Sequence, residues 1–357
     1  MSKSIKLNLA LQGGGSHGAY TWGVLDRLLE EEDIEIEAIS GTSAGAMNAA
    51  VLANGYMQNG RAGAKNLLET FWYEVSLLGL VSPFQQTPFE QYGNSWNLDW
   101  SLSYSYFDLI SRLISPYQLN PLNLNPLRWV LDKVLDKSLL NACSSMKLFI
   151  SATQVRSGQP RIFECGEITT DVLLASTCIP QIFQAVEIDG EPYWDGGFMG
   201  NPVIWPLVYR TNISDVLLVQ INPIFRDGTP KHASDIINRL NEITFNSSLI
   251  GEMRAINFVS KLIRENRLDS NKYKDVRMHM IAADPEVHGL NASSKLNTSW
   301  AFFQYLCSMG RDRAEVWIRE NKHHIGKKSS VDIREIFLGG VKSTSPQQKK
   351  NPKTEAA

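Results

Sequence analysis

The stretch IKLNLALQGGGSHGAYTWGVLDRLLEEEDIEIEAISGTSAGAMNAAVLANG, residues 5–55, decides the fold class. Residues 5–11 and 34–40 are largely apolar and predict strands, whereas residues 18–32 carry apolar side chains at helical spacing. Residues 44–55 are rich in small residues and predict a second helix. Strand, helix, strand and helix in this order predict an α/β fold with a mainly parallel sheet.

Further predicted elements continue this mixture of helices and strands. We expect helices at about 60–80, near 126–137, twice within 232–267 and near 309–321, and strands at 147–155, 215–221 and 276–283. We expect one large domain over residues 1–340, of which residues 223–340 are a largely helical part that could complete the sheet or cover a site. The polar tail at residues 341–357 predicts disorder.

The composition is that of a globular protein rather than a disordered one. A chain of 357 residues with 43% hydrophobic and 20% charged residues can bury a large core. A net charge of −2 provides no basic field for DNA or RNA, so we predict no nucleic-acid partner. The N-terminus lacks a signal-peptide pattern, and no apolar run reaches the roughly 18 residues of a spanning helix. We therefore expect a cytoplasmic protein, with export by another route left open.

The four cysteines indicate neither a metal site nor a disulfide framework. Cys143, Cys165, Cys178 and Cys307 are scattered without C-x-x-C spacing. We expect buried, reduced thiols in a reducing compartment. The sequence predicts no metal and no cofactor.

The first motif is the glycine-rich loop GGGSHG, which follows the first predicted strand. Gly13, Gly15 and Gly18 fit the pattern G-x-G-x-x-G, which binds the pyrophosphate of a dinucleotide in many oxidoreductases. Glu35 and Glu37 lie near the position where such a fold places its acidic residue. Backbone N–H groups at a helix N-terminus suit a developing oxyanion equally well. The loop alone leaves both interpretations open.

The second motif, GTSAG at residues 41–45, lies between a predicted strand and the helix of small residues. It fits G-x-S-x-G, in which a sharp strand-to-helix turn exposes a nucleophilic serine, here Ser43. The helix N-terminus would favour negative charge that builds near this serine. The same residue could instead be an ordinary N-cap, because serine is common at helix starts.

The third motif, YWDGGFMGNP at residues 193–202, contains Asp195. By itself, D-G-G indicates a turn. A serine nucleophile needs a base, however, and acyl transfer needs hydrogen-bond donors for the oxyanion. Ser43, Asp195 and the glycine loop can fill these three roles, whereas the oxidoreductase interpretation leaves two motifs unexplained. The three motifs together favour a hydrolase.

The order GGGSHG, GTSAG and DGG resembles the patatin-like phospholipase family. The stretch ASTCIPQIFQAVEIDGEPYWDGG, residues 175–197, is similar to the run that leads into the aspartate of that family, and the resemblance covers about residues 5–222. The resemblance implies a three-layer α/β/α fold with a mainly parallel central sheet. It also implies a catalytic Ser–Asp dyad that hydrolyses acyl esters of lipids.

The resemblance also implies a role for each motif. Carried over by position, Ser43 is the nucleophile, Asp195 is the general base, and the amides of Gly13, Gly14 and Gly15 form the oxyanion hole. The expected function is a lipid acyl hydrolase that cleaves fatty-acyl esters of phospholipids and lysophospholipids through an acyl-serine intermediate. The alternative is an acyltransferase, since both activities share that intermediate.

His17 departs from the pattern of the family, in which many relatives have Arg or Lys at this position. The resemblance therefore implies no permanent cation beside the oxyanion. His17 is also the histidine that a His-dependent mechanism would use, because it lies in the glycine loop. We expect it to be structural.

Residues 83–125 are rich in Pro, Asn, Gln and aromatic side chains and are too long for an ordinary connection. Five aromatic residues lie within twelve positions: Trp96, Trp100, Tyr104, Tyr106 and Phe107. We interpret the segment as a candidate lid that meets a lipid or membrane-surface substrate by transient contact. The alternative is a cap that packs over the sheet. The sequence leaves the oligomeric state open.

Overall fold

The computed structural model describes residues 4–80, 96–99, 101–141, 145–226, 228–283 and 289–339. All three sequence motifs fall within these residues. The expectations for the tail at 341–357, for positions 83–95 of the candidate lid, and for Trp100 and Cys143 lie outside them.

An eight-stranded sheet forms the centre of the molecule. Its strands are β1 (Ile5–Leu11), β2 (Ile34–Thr42), β3 (Lys147–Gln154), β4 (Pro160–Glu164), β5 (Val186–Ile188), β6 (Glu191–Asp195), β7 (Asp215–Gln220) and β8 (Arg277–Ala282). Hydrogen-bonded neighbours follow the path β5-β6-β3-β2-β1-β7-β8, in which β6 and β2 lie end to end along one edge of β3 and β4 pairs with its other edge. Strands β3, β2, β1, β7 and β8 pair in parallel. Strands β4, β5 and β6 pair antiparallel.

The helices of the described residues are α1 (Gly18–Leu28), α2 (Ala44–Leu80), α3 (Leu102–Leu113), α4 (Pro116–Leu119), α5 (Pro126–Val134), α6 (Lys137–Leu140), α7 (Thr170–Ser176), α8 (Trp205–Arg210), α9 (Ala233–Arg264), α10 (Trp300–Asn321) and α11 (Ile333–Phe337). Short 3₁₀ turns lie at Gly15–His17, Gly196–Phe198, Ala292–Leu296 and Lys322–His324. The first turn follows β1 after three residues, the second follows β6 directly, and the two turns lie within two of the three motifs.

Alternate residues of the central strands face two different hydrophobic clusters. Leu7, Leu9 and Leu11 of β1 belong to a cluster that includes residues of α1, α2 and α10. Ala10 of the same strand belongs to a second cluster with residues of α8, α9 and α11. Successive side chains of a strand point to opposite faces, so helices cover both faces of the sheet. The predicted three-layer α/β/α fold with a mainly parallel sheet is confirmed.

Several element boundaries differ from the sequence-based prediction. The two helices predicted within residues 44–80 are present: α2 is divided into two helical parts by non-helical backbone at Asn59 and at Gly60, whose φ is +56°. The prediction of two helices within 232–267 is wrong, because one helix, α9, spans most of that range. Helix α10 begins at Trp300 rather than near 309. The side chain of Ser299 caps its N-terminus.

The part of the chain without family resemblance completes the fold. Strand β8 pairs in parallel with β7, from Asp215 opposite Arg277 to Gln220 opposite Ala282. Helix α10 packs against α1, where the rings of Trp22 and Trp300 stack at 5.8 Å. Residues 223–340 therefore supply a strand of the sheet and helices of both outer layers.

The expectation of reduced cysteines is only partly correct. Cys178 and Cys307 are buried free thiols, and burial raises the pKa of each to about 12. Cys165 is disulfide-bonded, which contradicts the expectation. The inference of a reducing compartment, which rested on these thiols, loses that support.

Among the described residues, none of the helices combines the length and the apolar character needed to cross a bilayer. Within the same part of the chain, no group of three or more His, Cys, Asp or Glu side chains is arranged to hold a metal ion.

Candidate active site

Two strands end at neighbouring positions along one edge of β3. The pairing of β2 with β3 ends with Thr42 opposite Ser151, and the pairing of β6 with β3 begins with Asp195 opposite Ala152. Strand β4 pairs with the same β3 residues, so it takes the other edge. Because β2 is parallel and β6 antiparallel to β3, their carboxyl ends meet. This register explains why residues 43 and 195 are neighbours in space.

Ser43 occupies a sharp turn between β2 and α2. Its φ of +54° lies in the left-handed region, which residues other than glycine rarely adopt. Its N–H group donates a hydrogen bond to Ser176 Oγ at 2.9 Å, and its side chain is half-buried. Strain of this kind is often found at functional sites, and it is the conformation that G-x-S-x-G predicts.

Asp195 is buried next to this serine, with 4% of its surface exposed. The N–H group of Gly197 donates to Asp195 Oδ1 at 2.7 Å. Burial raises the pKa of Asp195 to about 6, and the Gly197 N–H group and the neighbouring Ser43 side chain oppose the rise. The carboxyl group is therefore ionised at neutral pH but is a stronger proton acceptor than an exposed aspartate.

The glycine loop packs directly against the Ser43 turn. A Cβ atom on Gly13 would lie 2.5 Å from Ser43 Cβ and 2.7 Å from the carbonyl oxygen of Thr42, so only glycine allows this approach. Gly15 has a φ of +58° and leaves no room for a side chain beside the carbonyl oxygen of Lys295. The structure thus brings together the three motifs that the sequence singled out.

The N–H group of Gly13 is already engaged. It donates to Asn201 Oδ1 at 2.6 Å, so in this structure it is not free to donate to the oxyanion for which the sequence proposed it. In the described part of the chain, no group accepts a hydrogen bond from the N–H of Gly14 or Gly15. These two amides, at the start of the 3₁₀ turn that leads into α1, are the available donors of the loop.

A buried network of amide side chains holds Gly13 on both sides. Asn222 Nδ2 donates to the carbonyl oxygen of Gly13 at 2.8 Å, and the N–H group of Gly13 donates to Asn201 Oδ1. Gln12 Nε2 donates to the carbonyl oxygen of Asn201 at 3.0 Å and to Asn246 Oδ1 at 3.1 Å. Gln12 Oε1 accepts from the N–H groups of residues 221 and 222. Satisfied buried amides of this kind make the loop rigid.

No sequence pattern predicted this network. Asn201 lies in the third motif, in the run GNP that follows D-G-G, so its position was visible although its role was not. Asn222 and Asn246 lie beyond or at the edge of the family resemblance, and no local pattern marks them. Their roles depend on contacts more than 200 residues away in sequence.

A cation approaches the loop from a different element. Lys295 Nζ donates to Asn222 Oδ1 at 2.9 Å, and the carbonyl oxygen of Lys295 lies against Gly15. Burial lowers the pKa of this ammonium group to about 8, so it is mostly charged at neutral pH. The resemblance implied no permanent cation at His17, and the structure places Lys295 one side chain away from the loop.

His17 and His279 contact other residues than Ser43 and Asp195. His17 Nε2 lies 2.8 Å from Ser294 Oγ, and burial lowers its pKa well below the usual value, so the ring is neutral. His279 Nε2 lies 3.1 Å from Asp215 Oδ1. These contacts agree with the structural role expected for His17.

The aromatic residues of the candidate lid divide into two groups. Trp96 stacks on Phe302 and Tyr305 with ring centroids at 5.2 and 5.4 Å, which is the packing expected of a cap. Tyr106 is exposed, whereas Tyr104 and Phe107 are half-buried. The segment therefore has one part that packs on the core and another that faces solvent.

One comparison with known proteins identifies the family of the chain. A family model described as patatin-like phospholipase matches residues 9–208, more than half of the chain. No curated protein sequence matches the chain significantly.

Solved structures with low sequence identity also match the chain. The structure of VipD from Legionella pneumophila matches with 17% identity and a TM-score of 0.36, over 87% of this chain and 67% of that one. The complex of full-length SpcU with full-length ExoU from the type III secretion system of Pseudomonas aeruginosa matches with 14% identity and a TM-score of 0.31. That match covers 88% of this chain and 53% of the other, so this chain spans about half of its length.

Proposed function

Because this chain belongs to the patatin-like phospholipase family, whose members are lipid acyl hydrolases, we propose that it cleaves fatty-acyl esters of phospholipids and lysophospholipids. The observation that carries the proposal is the proximity of the Ser43 side chain to the buried Asp195 carboxylate, at the meeting point of strands β2 and β6. Gly13 packs against Ser43, and the unengaged N–H groups of Gly14 and Gly15 follow it in the chain. A nucleophile, a base and two oxyanion donors are what acyl transfer requires.

In the first half of the reaction, Ser43 Oγ attacks the ester carbonyl carbon while Asp195 accepts the hydroxyl proton. The carbonyl oxygen becomes an oxyanion, to which Gly14 and Gly15 donate hydrogen bonds. The tetrahedral intermediate collapses and the bond to the alcohol oxygen breaks. That oxygen takes the proton from Asp195 and leaves as the lysolipid or glycerol-phosphate alcohol, so Ser43 carries the fatty acyl group.

In the second half, Asp195 accepts a proton from water as the water oxygen attacks the acyl carbon. The same amide donors stabilise the second oxyanion. When the intermediate collapses, the bond to Ser43 Oγ breaks and that oxygen recovers the proton from Asp195. The fatty acid leaves and the site returns to its starting state, so the net reaction consumes one water.

The properties of Asp195 support its role as the base. An ordinary aspartate, with a pKa of about 4, is a weak acceptor for a serine proton. Burial raises the pKa of Asp195 to about 6, which brings it closer to neutral pH, where proton transfer is most efficient. A direct contact with Ser43 removes the need for a histidine between them.

Fatty-acid release from a mixed lipid extract tests the proposal. The wild type should release fatty acids that mass spectrometry identifies, and Ser43→Ala should release none above background. Ser247→Ala is the matched control, because Ser247 is exposed on α9 and its hydroxyl donates to Thr244 within the same helix. This control should retain full activity.

Two results would contradict the proposal. Equal release by wild type and Ser43→Ala would remove the serine from the reaction. Transfer of the acyl group to an added alcohol in preference to water would identify the enzyme as an acyltransferase that uses the same intermediate.

A further inference from the structure

Helix α3 turns an apolar stripe toward solvent. Leu102, Tyr106, Leu109 and Leu113 follow each other at intervals of four, three and four residues, which places them on one face of the helix. Their exposed fractions are 85, 67, 56 and 72%. A helix of a globular protein normally turns such a stripe toward the core. No residue of α3 is buried, so this stripe faces away from the described core.

Further large apolar side chains are exposed in the next part of the chain. They are Tyr117 and Leu119 of α4, Leu122 and Leu124 of the connection, and Trp129 of α5. We call residues 102–129 the α3–α5 surface. Exposed apolar patches of this extent are uncommon on soluble proteins and usually mark an interaction site.

The charges of the α3–α5 surface are paired. Arg112 and Asp108 form an ion pair at 2.9 Å, one turn apart on α3. Arg128 pairs with Asp171 of α7 at 2.5 Å. No other charged residue lies between positions 102 and 129. A surface of Leu, Tyr and Trp without net charge is complementary to an uncharged lipid interface, where Tyr and Trp rings are favoured.

Hydrogen bonds connect this surface to the segment that holds Asp195. Gln184 Nε2 donates to the carbonyl oxygen of Asn120 at 2.7 Å, and the N–H group of Ala185 donates to Tyr117 Oη at 3.3 Å. In the same segment, the carbonyl oxygen of Cys178 accepts from the N–H group of Asp195 at 2.8 Å. Residues 178–185 therefore connect the α3–α5 surface to Asp195, with hydrogen bonds to the surface at one end and to Asp195 at the other.

We propose that the α3–α5 surface docks onto the zwitterionic face of a phosphatidylcholine bilayer and holds aggregated substrate next to Ser43. Docking itself depends only on the exposed apolar residues. Its role in catalysis rests on the proposed function. Because the charges are paired, docking does not require anionic lipid and does not weaken as salt concentration rises.

Sedimentation with vesicles of ether-linked phosphatidylcholine, which lack ester bonds, measures docking without hydrolysis. The wild type should bind these vesicles, with no loss at raised salt. Tyr106→Glu and Leu109→Glu should each lower the partition coefficient about tenfold or more, since each removes an inserted apolar side chain and adds a charge. Glutamate is a good helix former, so α3 should remain intact, which circular dichroism verifies.

Tyr209→Glu is the matched control. Tyr209 on α8 is as exposed as Tyr106 but lies outside the α3–α5 surface. The Tyr209→Glu variant should bind vesicles as the wild type does. Equal binding by all variants, or no binding by the wild type, would overturn the proposal. A wild-type dimer that Leu109→Glu dissociates would also overturn it, because the surface would then bind a second copy of the chain.

Hydrolysis assays separate this proposal from the proposed function. For Tyr106→Glu, the ratio of activity on phosphatidylcholine vesicles to activity on a short soluble ester should fall about tenfold relative to wild type. An unchanged ratio would overturn the docking role while leaving the hydrolase intact. Vesicle binding by a wild type that hydrolyses no ester would instead contradict the proposed function and leave docking in place.

Discussion

The sheet edge around Ser43 buries polar side chains, whereas the α3–α5 surface exposes apolar ones. At the sheet edge, Gln12, Asn201, Asn222 and Asn246 are all buried and hydrogen-bonded to one another or to the backbone. On the α3–α5 surface, Leu and Tyr side chains are exposed although burial would be favourable.

The contrast indicates two different requirements. Acyl transfer needs amide donors and a carboxylate at fixed positions, and a satisfied polar network provides that rigidity. Contact with a lipid aggregate needs apolar surface that is still exposed. Such exposed surface does not contribute to the stability of the folded chain.

The largest effect is expected for Asp195→Asn. This substitution keeps the shape and the acceptor for the Gly197 N–H group but removes the base, so ester hydrolysis should fall about a thousandfold or more. The initial rate on a soluble ester measures it. Asp189→Asn, in the exposed turn between β5 and β6, is the control and should retain full activity. Comparable rates for both variants would remove Asp195 from the mechanism.

The same variant should be more stable than the wild type at neutral pH. The pKa of Asp195 is about 6 in the folded chain and about 4 in the unfolded chain, because burial disfavours the charge. Between these values the folded state binds more protons, so the free energy of unfolding decreases as pH rises through this window. Asp195→Asn should therefore raise the free energy of unfolding at pH 7 by about 1–3 kcal/mol, measured by urea denaturation. A loss of stability would contradict this.

Asn201→Ala should have an intermediate effect on catalysis. The substitution frees the Gly13 N–H group and removes one side of the network that fixes the loop, so kcat should fall about 10–100-fold with a smaller change in KM. Asn271→Ala, at an exposed position, should leave kcat unchanged. If Asn201→Ala raised only KM, the network would serve substrate binding rather than the position of the oxyanion donors.

Lys295→Met should have the smallest effect of the series. Lys295 touches the loop through Asn222, so its loss should lower kcat by about threefold to tenfold. Lys295→Arg should recover most of the loss, since it keeps the charge and a donor. Lys272→Met, at an exposed position, serves as the control. Full activity of Lys295→Met would show that Asn222 is held in place without the cation.

The parts of the fold and site that could be predicted were those encoded by local patterns. Residues 5–55 alternate between apolar strands and a helical pattern over short spans, and this fixed the fold class. Ser43 was identified because a strand-to-helix turn with small flanking residues has a local signature. Asp195 became a candidate because a serine needs a base, and the family resemblance supported the pairing.

What could not be predicted depends on contacts between distant residues. The engagement of the Gly13 N–H group depends on Asn201, 188 positions later in the chain. Strands β5 and β6 have only three and five residues, too few for a clear periodic pattern. Helix α9 was expected to be two helices, although it continues from Ala233 to Arg264. Tertiary packing decides such cases.

The central claim is that Asp195 activates Ser43, and the rate of labelling by a fluorophosphonate probe tests it most directly. The account predicts that peptide mass spectrometry finds the label on Ser43. It also predicts that the rate rises with pH around a midpoint near 6, where Asp195 ionises, and that Asp195→Asn is labelled at least a hundredfold more slowly. Labelling of another residue, or labelling of Asp195→Asn at the wild-type rate, would contradict the account.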